Sequence, residues 1–121
     1  MRAILLLASI LIFLSRCSKD SSTEIYALPE GCDSIEFSYS RHIQPILQSN
    51  CNMPSCHASG GEGSFDFTLY AVVADRIRTG RFEDRLHLPV EDPQHMPEDI
   101  LMNPCEKYKL LIWIQQGFPE N

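Results

Sequence analysis

Cys51, Cys56 and His57 stand in the stretch CNMPSCH, residues 51–57, the most chemically specific run in the chain. Two thiols near each other, with an imidazole directly after the second, suit covalent attachment of a haem. The thiols reach two vinyl groups on one edge of the porphyrin, and the imidazole swings under the iron. Attachment sequences usually place two residues between the cysteines; here there are four. The Cys56–His57 adjacency sets the ligand geometry. The first thiol tolerates a longer connection where the extra residues loop out, and Pro54 favours such a loop. A plain disulfide between Cys51 and Cys56, or half of a zinc site, uses the same residue types. Zinc takes four ligands, commonly as two spaced pairs. Here the second pair is missing, since Cys105 stands alone and His87 and His95 are far apart.

A six-coordinate iron needs a ligand from the other side of the ring. Met96 lies in His95-Met96-Pro97, within a proline-rich loop, 39 residues after His57. A methionine between a histidine and a proline in a polar loop is a poor core residue, and the prolines stiffen the loop around a weak thioether. His95 is the substitute ligand, or Met96 is a surface residue. Met53 and Met102 fit less well, and His42 and His87 read as ordinary polar residues.

The elements that must position these groups are short helices. Residues 35–39 (IEFSY) alternate apolar and polar, as a short strand or an extended lead-in. Ile43, Ile46 and Leu47 share one face of a first helix that runs into Cys51, with Pro45 in its first turn. Residues 58–64 (ASGGEGS) are glycine-rich and irregular. Thr68 can cap a second helix carrying Leu69, Val72, Val73 and Ile77, which Gly80 stops. Residues 86–103 read as a loop, with Pro89, Pro93 and Pro97. Asn103, Pro104 and Glu106 mark the start of a last helix, and Gly117 and Pro119 its end. Trp113 packs that helix against the first. Phe65, Phe67, Leu69, Tyr70, Phe82, Leu86 and Leu88 fall between the two ligands and supply a pocket, some of them facing the ring. The fold class expected is all-α: about three short helices with long loops around a cofactor that completes a thin core.

Ahead of this domain, Arg2 precedes an apolar run over residues 3–14, broken only by Ser9. Such a run is short of the roughly 20 residues a spanning helix needs, and reads as a signal peptide over residues 1–16. The sequence LSRC at residues 14–17 resembles a lipobox, which makes Cys17 the lipidated first residue. Residues 17–34 then form the lipidated N-terminus and a polar tether, and 35–121 the domain. Export implies an oxidising compartment. Of five cysteines, Cys17 takes lipid and Cys51 and Cys56 the cofactor, so Cys32 and Cys105 are left to pair. The net charge is −6, or −8 without Arg2 and Arg16, which argues against nucleic acid as a partner. Arg76, Arg78, Arg81 and Arg85, with His87, form one basic stretch. It reads as a solvated helix end and loop, or as a docking patch or a screen for haem propionates.

From Phe37 onward the chain resembles a small cytochrome c-like domain of exported proteins in Gram-negative bacteria. The matching stretches are YSRHIQPILQSNCNMPSCH, the glycine-rich segment, DFTLYAVV, HMP and CEKYKLLIWIQQGFPEN, over about 85 residues. Members resemble it in the longer Cys-to-Cys spacing, the Met-Pro pair, and a final helix with a tryptophan ending in Gly-x-Pro. The resemblance implies a haem c fold with His57 and Met96 on the iron. The function expected is one-electron transfer without catalysis, between other redox proteins. The protein is then periplasmic or outer-membrane-associated and held at the membrane by its N-terminal lipid. The alternatives are a disulfide-stapled lipoprotein binding module without haem, or a peroxidase-like enzyme if Met96 does not ligate.

Overall fold

Every regular element is a helix among the described residues, 26–33 and 37–121 of a computed structural model, and no strand occurs there. The signal peptide, the lipidation site Cys17 and Ile35 lie outside the described residues. A wide π turn, Tyr39–Ile43, leads directly into α1, Gln44–Asn50. Ser38, with φ −84° and ψ 138°, is the extended lead-in. Pro45 sits in the first turn of α1, directly after the π turn. Helix α2 spans Tyr70–Thr79, α3 Phe82–His87 and α4 Pro104–Gln115.

Four helices appear where three were expected. The additional one, α3, starts inside what read as the link to the long loop. Glu83 and Asp84 lie in its first turn and Arg85 and His87 in its last, which suits the helix dipole. Leu86 is buried and Phe82 packs against the core. The start of α2 also differs. Leu69 is its N-cap residue, with no side-chain cap. Thr68 instead turns back, its N–H and hydroxyl both donating to Asp66 Oδ1 at 2.9 and 2.5 Å.

Helix α4 begins as expected. Asn103 Oδ1 accepts from the N–H groups of Cys105 and Glu106, and Pro104 follows the cap. Glu106 does not close a capping box; its carboxylate accepts from Asn50 Nδ2 at 3.2 Å and so joins α4 to the end of α1. Gly117, at φ +86°, ends the helix in the left-handed conformation that glycine adopts without strain.

Trp113, Ile43, Leu47, Leu110 and Val73 are fully buried and form the centre of the core. Trp113 joins α4 to the π turn, as expected: its ring stacks on Tyr39 at 5.6 Å, and its Nε1–H donates to Pro119 O. Cys32 and Cys105 form a disulfide across 73 residues, with Cα atoms 5.4 Å apart. Closing a loop of that length stabilises by about 4 kcal/mol in chain-entropy terms. Nearby, the Tyr26 hydroxyl donates to Glu83 at 2.6 Å and lies 2.9 Å from His87 Nε2, so the last part of the expected tether lies against α3. No helix among the described residues is long and apolar enough to cross a membrane.

Candidate functional site

The turn after α1 is built from backbone bonds. Cys51 N–H still donates to Leu47 O, so Cys51 continues the helical direction, and its side chain is buried. The next residues loop out: Cys56 N–H reaches Met53 O at 2.8 Å, and His57 N–H returns to Cys51 O at 3.1 Å. This is how four intervening residues still set Cys51 and the Cys56–His57 pair along one wall. The glycine-rich segment then folds over His57. Gly63 N–H donates to Cys56 O, and a Cβ at Gly63 would sit 2.5 Å from His57 Nδ1. Only glycine fits there without displacing the imidazole.

His57 is fixed on two sides. Its ring stacks on Phe67 at 4.3 Å and 19°, and Nδ1 donates to Phe65 O at 3.2 Å. The carbonyl accepts only, so in this bond Nδ1 carries the proton. Nε2 has no protein partner among the described residues.

These groups line a cavity of about 720 Å³, within the range of small-molecule and cofactor sites. Cys51, Cys56, His57 and Met96 all face it. Of the expected pocket residues, Phe65, Phe67, Phe82 and Leu86 line it and Leu69, Tyr70 and Leu88 do not. Leu69 is exposed, and the Tyr70 hydroxyl is committed to Phe118 O. Met53, the poorer ligand candidate by sequence, lines the cavity as well, with Gly63 of the glycine-rich segment and Asn50, which no sequence pattern marked.

Met96 is held by its backbone, with its N–H donating to Arg85 O in α3 at 3.1 Å. His95 beside it is not a substitute ligand. It is buried at 4% exposure, with Nδ1 2.7 Å from Leu88 O and Nε2 3.3 Å from Ile100 O, and it does not line the cavity. Its ring pins the loop that presents Met96.

Cys51 and Cys56 are free thiols, so the plain disulfide between them is not formed. Burial, and secondarily the Cys56 thiol, push the Cys51 pKa up to about 12, which keeps it a neutral thiol at ordinary pH. Among the described residues no three His, Cys, Asp or Glu side chains gather as a metal site.

The donor set fits a haem: two thiols and a free imidazole nitrogen on one wall, a thioether on the same cavity, and aromatic and aliphatic side chains between. The charged residues of the lining are Glu62, Arg76, Arg81, Arg85, Glu98 and Asp99. Arg78 is elsewhere, its guanidinium over the Phe118 ring at 5.1 Å. Arg76 and Arg78, two apart on α2, do not share a face, while Arg81 and Arg85 have the i, i+4 spacing that does. That spacing was the available signal for splitting the basic stretch. The chain matches no family model, no curated protein and no solved structure.

Proposed function

We propose that this protein is a c-type cytochrome, a one-electron carrier whose haem is bonded to Cys51 and Cys56 and ligated by His57 and Met96. The observation that carries the reading is the convergence of those four side chains on one cavity. Cys51 and Cys56, both free thiols, would hold the cofactor as thioethers, a thiol-to-alkene addition that consumes no oxidant. The Nδ1–H bond to Phe65 O orients the His57 ring and leaves Nε2 for the iron. Met96, which lines the same cavity, would be the second residue to hold the iron. Phe67, Phe82 and Leu86, on the core side of the cavity, would keep water away from the ring. The haem iron supplies the one-electron couple, and His/Met ligation places it above a bis-histidine site. Other redox proteins are the partners. Export and the Cys17 lipid place the carrier in the periplasm or at a membrane surface.

Met96 decides between a carrier and an enzyme. Oxidised protein is expected to show the weak near-infrared band of ferric iron bound to methionine sulfur. Met96→Ala is expected to abolish the band, lower the potential, open the iron to cyanide and raise peroxidase activity. Wild-type protein that lacks the band and binds cyanide quickly would point instead to the open, peroxidase-like site.

A further inference from the structure

The cavity carries a guanidinium that the ligand set does not use. Arg85, on α3, lines it half-buried and has no side-chain partner among the described residues. Its neighbours differ. Arg76 is paired with Asp75 at 2.5 Å and lies over the Phe65 ring at 4.3 Å. Arg81 is exposed, reaching Asp84 at 3.4 Å and Gln94 at 3.0 Å. Acidic side chains are at hand in the same lining, Glu62, Glu98 and Asp99, yet none forms an ion pair with Arg85. A guanidinium left half-buried without an anion costs free energy, and its planar fork matches a carboxylate in two parallel bonds.

We propose that Arg85, with Arg81 one turn away, binds the carboxylates of the cofactor. This rests on the haem reading. Haem carries two propionate carboxylates as well as its two vinyl groups, and a guanidinium in the lining offers them a cationic partner. Arg85 also accepts the Met96 N–H through its backbone carbonyl. One residue therefore connects the propionate contact to the axial ligand loop. An acidic partner protein would use arginines on an open face; Arg85 instead lies within the cavity.

The test is the reduction potential of loaded protein between pH 5 and 9, for wild type, Arg85→Gln, Arg85→Lys, and Arg81→Gln with Arg85→Gln. A paired guanidinium holds a propionate ionised throughout, so the wild-type potential is expected to be nearly flat. Arg85→Gln is expected to lower it and to add a fall with rising pH, as the released carboxylate titrates. The double variant is expected to enlarge both changes and Arg85→Lys to reverse part of them. The new slope is expected to persist when Glu98→Gln and Asp99→Asn are added, since it belongs to the cofactor. The other titratable groups of the lining, His57 and Glu62, are common to all variants. A uniform lowering with no new slope, or no change at all, would overturn the assignment. So would a changed salt dependence of electron uptake from an acidic partner over an unchanged pH profile. Wild-type protein that carries no haem overturns the haem reading and this assignment together, whereas loaded wild type with unaltered variants overturns this assignment alone.

Discussion

The two ends of this domain are held together by different means. Around Trp113, side chains close on one another: Ile43, Leu47, Leu110 and Val73 are fully buried, and Tyr39 stacks on the indole. Around Cys51 and Met96 the chain encloses a space of about 720 Å³. The walls there are turns held by backbone bonds, such as Gly63 N–H to Cys56 O and Met96 N–H to Arg85 O. The packed end is complete in its own side chains. At the other end Cys51, Cys56, His57 and Met96 and several apolar residues line the cavity, an arrangement that the proposed flat cofactor would fill. The two ends share one core cluster, in which Cys51, Phe67 and Leu86 stand with Ile43 and Trp113, so the division lies in what the side chains border: packed neighbours around Trp113, the cavity around Cys56, His57 and Met96.

The strongest attempt to break that division is Trp113→Ala. Truncating a fully buried tryptophan removes about 3–5 kcal/mol, and the same loss is expected for haem-loaded and haem-free protein in urea unfolding. A loss confined to one form would show that the packing around Trp113 depends on what the cavity holds.

Cys51 gives the next largest effect, and it differs between the forms. Burial raises its pKa from 9.0 to about 12. Below pH 9 both folded and unfolded chains keep the thiol proton, and this contribution is intact. From pH 9 to 12 only the unfolded chain releases it, so stability falls, on the order of 1.4 kcal/mol per pH unit at most. In loaded protein the sulfur is a thioether and that fall is absent. Tyr39, whose phenol burial also raises in pKa, pushes the same way in both forms. Comparing haem-free wild type with haem-free Cys51→Ala therefore isolates the thiol. Urea midpoints at several alkaline pH values measure it, and equal slopes would contradict the burial of Cys51.

What was legible in the sequence follows the same division. Helix α4 was readable because Asn103, Pro104 and Gly117 each do local work that depends on few distant contacts. The role of Trp113 between the first and last helices followed from the apolar faces. Helix α3 was not readable, because six residues are less than two turns and no periodicity develops. Thr68 and Glu106 had the right types for caps, but Asp66 and Asn50 offered other partners that only the fold brings near. At the site, Cys56–His57 and the Met96 loop were visible from residue type and order, and the Cys32–Cys105 pair from counting. The anchoring of the Met96 loop by His95, the close approach at Gly63 and the partnerless Arg85 depend on three-dimensional neighbours, and no local pattern encodes them.

The smallest test sharpens the packed end. The Tyr39 hydroxyl is buried with no hydrogen-bond partner. Tyr39→Phe is expected to leave stability within about 1 kcal/mol of wild type, neutral or slightly raised, because an unmade hydrogen bond is removed along with its desolvation cost. A loss above about 2 kcal/mol would show that the hydroxyl is satisfied.

The cavity end rests on one claim, that Cys51 and Cys56 hold a haem covalently. The direct measurement is the intact mass of the denatured polypeptide, expressed in a host competent in cytochrome c maturation, for wild type, Cys51→Ala, Cys56→Ala and the double variant. The expected result is a wild-type mass increased by one haem that survives acidic organic extraction. Loaded protein is expected to be reduced in each single variant and absent in the double one. A wild-type mass equal to the bare polypeptide, with all colour extracted, would contradict it.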